Sequence, residues 1–317
     1  MKLIVILNVN PNENINTKIC NNREYTHSEL KAILLDNFTG FAEKIIFYDN
    51  FEKFKENVSN HLDDFVLNFD FGYKSRTRNM NVPAFCENYN IKYFNANPYV
   101  QVLCQDKFIT NKFAENFGIK TPQSLLVFPH SYSIELLTDF NYPVIIKPNY
   151  ESESIGITQN SIVSNIVQAD YLVHQLFKDF DGILIEEYIE GNEIAITIFG
   201  NNDNLFFEEV ELCFPSRENF AYKAYTSEIK QNISIEFKKS RYLTEKDTNH
   251  IKQLYYSLSP NKLIRVDGRV KNSNFYLIEI NANPGLYPDS VVPRTFKING
   301  YSYKDMLDKL FMCVKNI

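Results

Sequence analysis

The sequence contains no tryptophan, and cysteine and histidine are scarce, with five of each in 317 residues. The cysteines are Cys20, Cys86, Cys104, Cys213 and Cys313. Their number is odd and no two form a CxxC pair, which argues against a disulfide framework and indicates reduced thiols in a cytoplasmic protein. The histidines form neither HxH nor HxxxH, so the sequence offers no zinc site of the usual spacing.

A long basic block and a long apolar run are also missing. Lysine and arginine total 33 against 39 aspartates and glutamates, and the net charge is −6. This balance argues against a nucleic-acid surface and against a polybasic membrane patch. The N-terminal apolar run, residues 3–7, is too short for a signal peptide or a membrane span and predicts a buried β-strand. We therefore expect neither nucleic acid nor membrane among the partners.

The order of predicted elements is that of an α/β protein. Up to residue 97, strand segments alternate with helical segments, which predicts a mostly parallel sheet. Residues 100–118 predict one long helix that ends at Gly118, a typical C-terminal glycine. Residues 215–240 are polar and have no clear period, and they are a candidate active-site lid. Domain boundaries near 97 and 185 give three predicted units: 1–97, 98–185 and 186–317.

A C-terminal hairpin is predicted for residues 264–281, and its second strand carries polar side chains in an apolar run. Strict alternation puts Glu279 and Asn281 on one face, together with Leu277. The first strand brings Asp267 beside Glu279. Two carboxylates and an amide oxygen are hard ligands of the kind that hold Mg²⁺, and a cation would offset the cost of burying unpaired carboxylates.

Arg265 precedes Asp267 by two residues, so the two side chains project from the same strand face. Two interpretations follow. One is a metal site beside a functional guanidinium. The other is a structural ion pair among Arg265, Asp267 and Glu279 at the end of a sheet. Residue types and spacing alone favour neither.

Two lysines and one turn are weaker candidates for phosphate contact. Lys147 ends an apolar strand, where its ammonium could meet a phosphate in a cleft or extend into solvent. Lys107 carries no information by itself. The turn around Ser154 has one glycine, and its amides and hydroxyls could cradle a phosphate without matching a P-loop.

The segment 184–194 is acidic, with Glu186, Glu187, Glu190 and Glu193. It suits a connection between two lobes, in which main-chain groups read an adenine edge and a carboxylate accepts ribose hydroxyls. A basic partner or a solvated acidic turn would explain the same residues, and the solvated turn is the simplest explanation of the segment taken alone.

Taken in order, these motifs resemble those of the ATP-grasp superfamily and, within it, the D-alanine–D-alanine ligase branch. The resemblance runs from Asp106 to the C-terminus and is weaker in the N-terminal region. The motifs are DKFITNKFAENFGIKTP, YPVIIKP, SIGI, ILIEEYIEGNEIAITIFG, RVD and IEINANPGLYPDSVVP. The last is the most specific, because a Glu-x-Asn followed by Pro-Gly and then Ser-x-x-Pro is close to the family's signature.

The resemblance implies an ATP-grasp fold of the α/β class, with an N-terminal parallel α/β domain followed by two α+β lobes that clamp ATP. It also implies a role for each candidate residue. The nucleotide would be bound by Lys107 and Lys147 at its phosphates, by Glu186, Glu187, Tyr188 and Ile189 at adenine, and by Glu193 at ribose. Mg²⁺, with Mn²⁺ as an alternative, would be held by Asp267, Glu279 and Asn281. The catalytic groups would be Arg265 at the acyl phosphate and oxyanion, the lid lysine Lys223, and Ser154 in the phosphate loop. The acceptor site would include Gly285 and Ser290.

The sequence departs from the family pattern where the donor substrate should bind. The first serine of the family's Ser-Ser pair is replaced by Glu153, which leaves Ser154. The N-terminal loop NFDFGYKSRTRNM carries three cations, among them Arg76 and Arg78, and lacks the family's acidic residues. Glu13 is the candidate for the glutamate that meets the first amino acid. The basic loop indicates a donor other than D-alanine, with an extra anionic group, and solvated surface is the alternative for its cations.

These inferences predict an ATP-dependent, ADP-forming carboxylate–amine ligase that joins small amino-acid-like substrates through an acyl phosphate. Its partners would be a carboxylate donor and an amine acceptor, an amino acid or a dipeptide, and a homodimer is an assembly found in the family. One alternative is a true D-alanine–D-alanine ligase with an altered donor site. Another is a catalytically silent ATP-binding module, against which the retained Arg265 argues.

Overall fold

Three β-sheets, one parallel and two antiparallel, organise the chain. The computed structural model describes residues 1–8, 27–38, 42–70, 72, 75–94, 96–152, 154–201, 204–214, 235–260 and 263–315. The sheets confirm the predicted fold class, a parallel α/β unit followed by two α+β lobes.

The N-terminal sheet is parallel because helices connect its successive strands. Its strands, in the spatial order β2-β1-β3-β4, are β1 Leu3–Ile6, β2 Ile45–Tyr48, β3 Phe65–Asn68 and β4 Lys92–Tyr93. Its helices are α1 His27–Asn37, α2 Phe51–Lys55 and α3 Asn81–Asn88. Every residue of β1 and β3 is buried, as expected for central parallel strands covered on both faces.

Two helices, α4 Pro98–Gln105 and α5 Lys107–Glu115, replace the single long helix predicted for residues 100–118. The break lies at Asp106, whose backbone is extended and whose carboxylate accepts a hydrogen bond from the Ile109 amide at 3.0 Å. An N-cap within a helical pattern therefore ends one helix and begins the next. Gly118, at φ +76°, follows α5 as the predicted C-terminal glycine.

The central sheet is antiparallel and has the spatial order β5-β8-β6-β7. Its strands are β5 Ser124–Val127, β6 Val144–Pro148, β7 Ile162–Val163 and β8 Ile183–Glu187. The helix α6 Ile166–Leu176 packs on it through Ala169 and Val173. Short 3-10 helices lie at Val58–Asn60, Arg78–Met80, Ile134–Leu137 and Gln159–Ser161.

The C-terminal sheet is antiparallel, in the order β11-β10-β9-β12-β13. Its strands are β9 Asn192–Phe199, β10 Phe206–Cys213, β11 Glu236–Lys239, β12 Leu263–Lys271 and β13 Asn274–Asn281. The helices are α7 Glu245–Ser257, α8 Val291–Ile298 and α9 Tyr303–Lys315. The predicted hairpin is confirmed as β12 and β13, whereas α8 was not predicted from the sequence.

The last helix packs against the first sheet. Phe311 of α9 meets Phe65 of β3 and Phe94 just after β4, at ring-centroid distances of 5.8 and 5.4 Å. Leu263 at the start of β12 belongs to the same apolar cluster. The N-terminal and C-terminal sheets therefore share a core. The boundaries at 97 and 185 stay a prediction.

Most of the predicted lid, residues 215–234, lies outside the described residues, and residues 236–239 of it form strand β11. Cys86, Cys104 and Cys213 are free thiols. Among the described helices, none has the length and apolar character needed to cross a membrane.

Candidate active site

The predicted acidic residues lie on facing positions of two paired strands. Asp267 of β12 is opposite Glu279 of β13, and Arg265 is opposite Asn281. Side chains separated by two residues on one strand share a face, so all four project from the same side of the hairpin. About a quarter of the Asp267 and Glu279 side chains is exposed, at 25% and 24%. The structure thus brings the four predicted residues together.

A β-bulge determines which face Glu279 occupies. The register passes from Asp267 opposite Glu279 to Gly268 opposite Leu277, so Ile278 is the extra residue. Leu277 is therefore buried in the same apolar cluster as Ile280, although strict alternation had placed it with Glu279. The expectation of unbroken alternation was wrong because a bulge reverses the side-chain phase of a strand at one residue.

Asp267 is held by two neighbours. The Arg265 guanidinium donates to both carboxylate oxygens, with Nε to Oδ1 at 2.7 Å and Nη2 to Oδ2 at 2.6 Å. The Asn281 amide nitrogen donates to Oδ2 at 2.9 Å. The structural ion pair that the sequence left open is therefore present between Arg265 and Asp267. Both side chains of this pair stay partly exposed, at 18% and 25%.

Lys107 approaches the acidic pair from the first residue of α5. It is buried, donates to the Glu151 main-chain carbonyl, and lies 3.7 Å from Glu279 Oε1. Burial lowers the pKa of the Lys107 ammonium, and the Glu279 carboxylate opposes that shift without cancelling it. An ammonium with so little solvation gains from an anionic ligand.

Lys147 and Glu186 form a second buried pair, between β6 and β8. Their Nζ and Oε2 atoms are 2.5 Å apart, and both side chains are almost fully buried. Asn111 of α5 donates from Nδ2 to Glu186 Oε1 at 3.0 Å. Lys147 therefore points inward, and the alternative in which its ammonium reaches solvent is wrong.

The connector between β8 and β9 is hydrogen-bonded to the residues just before β5 and β6 of the central sheet. The amides of Glu187 and Tyr188 donate to the carbonyls of Gln123 and Pro143, at 2.9 and 3.0 Å. Tyr188 and Ile189 are buried. The segment as far as Ile189 is thus a buried main-chain edge, whereas Glu190, Gly191 and Asn192 are exposed, as the solvated turn predicts.

Arg269 was missed by the sequence analysis. It donates to the Ile189 carbonyl at 3.0 Å and to Glu193 Oε2 at 2.7 Å, and it lies over the Tyr188 ring. The available signal was its position two residues after Asp267, on the same strand face.

Tyr150 and Glu151, just before Ser154, contact the N-terminal unit. Arg78 is buried and donates to the Tyr150 carbonyl at 3.1 Å and to Glu151 Oε2 at 2.9 Å. Arg76 is exposed and lies over the Tyr150 ring, 4.5 Å from its centroid. Ser154 has a left-handed backbone at φ +64°. The predicted basic loop therefore flanks the predicted phosphate loop.

Gly285 and Ser290 lie close together before α8. A Cβ atom at Gly285 would come within 3.0 Å of Ser290 Oγ, so the close approach favours glycine. Ser290 is the N-cap of α8 without a side-chain capping bond. Glu13 and Lys223, the other predicted site residues, lie outside the described residues.

The donor set suits Mg²⁺. The candidate metal site consists of the carboxylates of Asp267 and Glu279 and the amide of Asn281. It contains only two acidic residues, and the described part of the chain has no cluster of three or more His, Cys, Asp or Glu arranged for a metal. Asn281 turns its amide nitrogen toward Asp267. A half-turn of that amide would present its oxygen, which the carboxylate would repel unless a cation lay between them.

The chain is similar to known proteins both in sequence and in fold. The family model described as D-ala D-ala ligase C-terminus matches residues 116–312. The D-alanine–D-alanine ligase of Petrotoga mobilis is 28% identical over 247 residues, which are 77% of this chain and 77% of that protein. The ligase of the same name from Bacillus anthracis, solved with ATP, has a TM-score of 0.74 at 18% identity and covers 100% of this chain and 98% of its own. The VanG D-Ala:D-Ser ligase from Enterococcus faecalis has a TM-score of 0.72 at 20% identity, with 99% of each chain covered.

Proposed function

The chain belongs to the D-alanine–D-alanine ligase family of ATP-grasp enzymes, and from this premise we propose a role in the reaction for each of its site residues. The chain is an ATP-dependent, ADP-forming ligase. It forms a C–N bond between a carboxylate donor and an amine acceptor, both small and amino-acid-like. The observation that carries the proposal is the register pair of Asp267 and Glu279, flanked by Arg265 and Lys107.

The nucleotide would lie across the connector. Main-chain groups of Glu187 and Ile189 would hydrogen-bond to the edge of the adenine ring. Glu186 would lie near the exocyclic amine of adenine, and Tyr188 would line the adenine site. Glu193 would accept hydrogen bonds from the ribose. The buried ammonium groups of Lys107 and Lys147 support a phosphate site, because each is a cation removed from water.

Asp267, Glu279 and Asn281 would hold Mg²⁺, or Mn²⁺ in its place. When bound, the metal neutralises charge on the phosphates and orients them for transfer. This assignment is supported by the hard oxygen donors on one hairpin face.

In the first step the donor carboxylate attacks the γ-phosphate, which gives an acyl phosphate and ADP. The acceptor amine then attacks the acyl carbon, an oxyanion forms, and phosphate leaves. Arg265 stabilises that oxyanion by charge and hydrogen bonding. The acyl phosphate must be kept from water, a task that suits the lid at 215–240 and its Lys223.

The substrate-side assignments rest on position. Ser290 and Gly285 would bind the acceptor carboxylate near the start of α8. The donor would lie near Ser154 and the basic loop, where the exposed Arg76 is better placed than Arg78 for an anionic group, since Arg78 is paired with Glu151. Glu13 stays a prediction for the donor's amino group, as do a cytoplasmic location and a homodimer.

The test is coupled ADP release from purified protein with Mg·ATP and a panel of D- and L-amino acids and dipeptides. ADP release that requires both a carboxylate and an amine, with a ligated product in the mass spectrum, is expected. Release with D-alanine alone would identify a D-alanine–D-alanine ligase, the activity named for the relatives. Binding of ATP without turnover on any pair would leave a silent ATP-binding module.

A further inference from the structure

Arg269 is a buried arginine whose contacts fall on three residues of the proposed nucleotide site. It lies on β12, opposite Glu193 of β9 in the antiparallel register. Nη2 donates to Glu193 Oε2 at 2.7 Å, and Nη1 donates to the Ile189 carbonyl at 3.0 Å. The guanidinium carbon is 4.8 Å from the centroid of the Tyr188 ring. Only 7% of the residue is exposed.

These contacts leave the guanidinium little freedom. A charge removed from water is tolerated only when it is paired and hydrogen-bonded, and here a carboxylate, a carbonyl and an aromatic face supply the pairing. A guanidinium remains charged in proteins, and its planar fork fixes the direction of each partner.

Glu193 is the residue whose orientation matters most for a ribose. One of its oxygens is engaged by Arg269, which fixes the plane of the carboxylate. The other oxygen then has a set position from which it can accept a hydroxyl. The bond to the Ile189 carbonyl orients the main chain of the connector in the same way.

We propose that Arg269 is a positioning residue for nucleotide binding, which holds Glu193 ready for the ribose hydroxyls and locks the connector at Ile189. The inference rests on the proposed function, since it concerns the same nucleotide site. A purely structural ion pair makes a different prediction. Its loss would weaken the binding of every nucleotide alike and would not change the preference among them.

The experiment measures binding of Mg·ATP, Mg·2′-deoxy-ATP and Mg·3′-deoxy-ATP to the full chain by calorimetry. A hydrogen bond to a charged group implies about a tenfold or larger preference of the wild type for ATP over at least one deoxy analogue. In Arg269→Met, which keeps an unbranched apolar stem, this preference falls to about onefold to threefold. Arg269→Lys keeps the charge but not the fork, and it restores part of the preference.

Two further variants sharpen the comparison. Glu193→Gln in the Arg269→Met background causes no further loss of preference, because the two residues act as a unit. Arg294→Met is the matched control. Arg294 lies over the Phe237 ring at 4.9 Å, donates to the Asp289 carbonyl at 2.7 Å and pairs with the Asp289 carboxylate at 3.6 Å, so it makes the same kinds of contact elsewhere. Its substitution is expected to leave the preference unchanged.

Thermal unfolding identifies any variant that fails to fold, and Arg269→Lys then carries the test. An unchanged preference in a folded Arg269 variant overturns the inference, as does a wild type that binds ATP and both deoxy analogues equally. Absence of ATP binding in the wild type contradicts the proposed function itself. The two failures are therefore distinguishable.

Discussion

Asp267 lies directly opposite Glu279 in the antiparallel register of β12 and β13, and Arg265 donates two hydrogen bonds to Asp267. Because the hairpin turn is short, the two carboxylates are neighbours through local structure alone. Lys107 reaches the same point from a distant part of the chain. Local pairing thus builds the acidic half of the site, and tertiary packing adds the cation.

Asp267→Asn and Glu279→Gln each remove one charge with almost no change in shape. We expect each to lower turnover by about a hundred- to a thousand-fold, because the lost groups act electrostatically. Thermal unfolding should show that the fold is retained, since both side chains are partly exposed. Glu52→Gln is the control, because Glu52 is exposed and lies in α2 of the N-terminal unit, distant in sequence from the hairpin. Near-normal ADP release by either site variant would refute the assignment.

The buried pair of Lys147 and Glu186 predicts opposite behaviour of single and double variants. Glu186→Gln leaves an ammonium buried without its counter-charge, and we expect it to destabilise the fold by about 3–5 kcal/mol. Lys147→Met combined with Glu186→Gln should recover most of that stability, because neither residue of the pair is then charged. Turnover should stay lost in both. Denaturant unfolding measures the stability, and a single variant as stable as wild type would contradict the account.

Gly268→Ala tests the bulge that positions Glu279. An added Cβ would lie 2.2 Å from Phe275 Cε2 and 2.6 Å from the Tyr276 carbonyl oxygen, so the hairpin must shift. We expect a loss of about 1–3 kcal/mol in stability and a fall in turnover, since the register of Glu279 changes with the bulge. Adding Phe275→Leu should recover only part of both, because the carbonyl contact persists. Full activity of Gly268→Ala would mean that the bulge does not position Glu279.

Asp64 predicts a pH dependence of stability in the N-terminal unit. Burial raises the pKa of its carboxyl, but the His61 ring at 2.9 Å and the Lys2 amide at 2.8 Å lower it by more, and the net shift is downward. A carboxyl with a lowered pKa stabilises the fold above its unfolded value of about 3.9, and this contribution is lost as the pH falls.

The advantage of wild type over Asp64→Asn in unfolding free energy should therefore be fully present at about pH 5. Below about pH 4 it should shrink as the folded-state carboxyl takes up its proton. Denaturant titrations at several pH values measure the difference. An advantage that grows as the pH falls would have the wrong sign.

Much of the site could be predicted because it depends on local sequence. A hairpin with a short turn brings Asp267 near Glu279, and Arg265 follows from the two-residue period of a strand. The direct opposition of Asp267 and Glu279 also needs the bulge, because the turn alone would put Asp267 opposite Ile278. Lys147 and Glu186 could not be paired in this way. They meet because β8 inserts between β5 and β6, a sheet order that the sequence does not encode locally.

Other differences have equally specific causes. The break at Asp106 was hidden because apolar periodicity continues through it, although an aspartate followed by a helix is an N-cap signal. The bulge at Ile278 escaped detection, and Gly268, opposite the neighbouring Leu277, was the available sign. Arg269 was not singled out, because nothing in the local sequence pairs it with Glu193.

The most direct test of ligation through an acyl phosphate is transfer of ¹⁸O from the donor. The donor carboxylate is labelled with ¹⁸O and turned over with ATP and the acceptor that the substrate panel selects. Attack of that carboxylate on the γ-phosphate predicts that each phosphate released carries one ¹⁸O atom and that the new amide keeps the other. Unlabelled phosphate, with both labelled oxygens still on the recovered donor, would contradict the account.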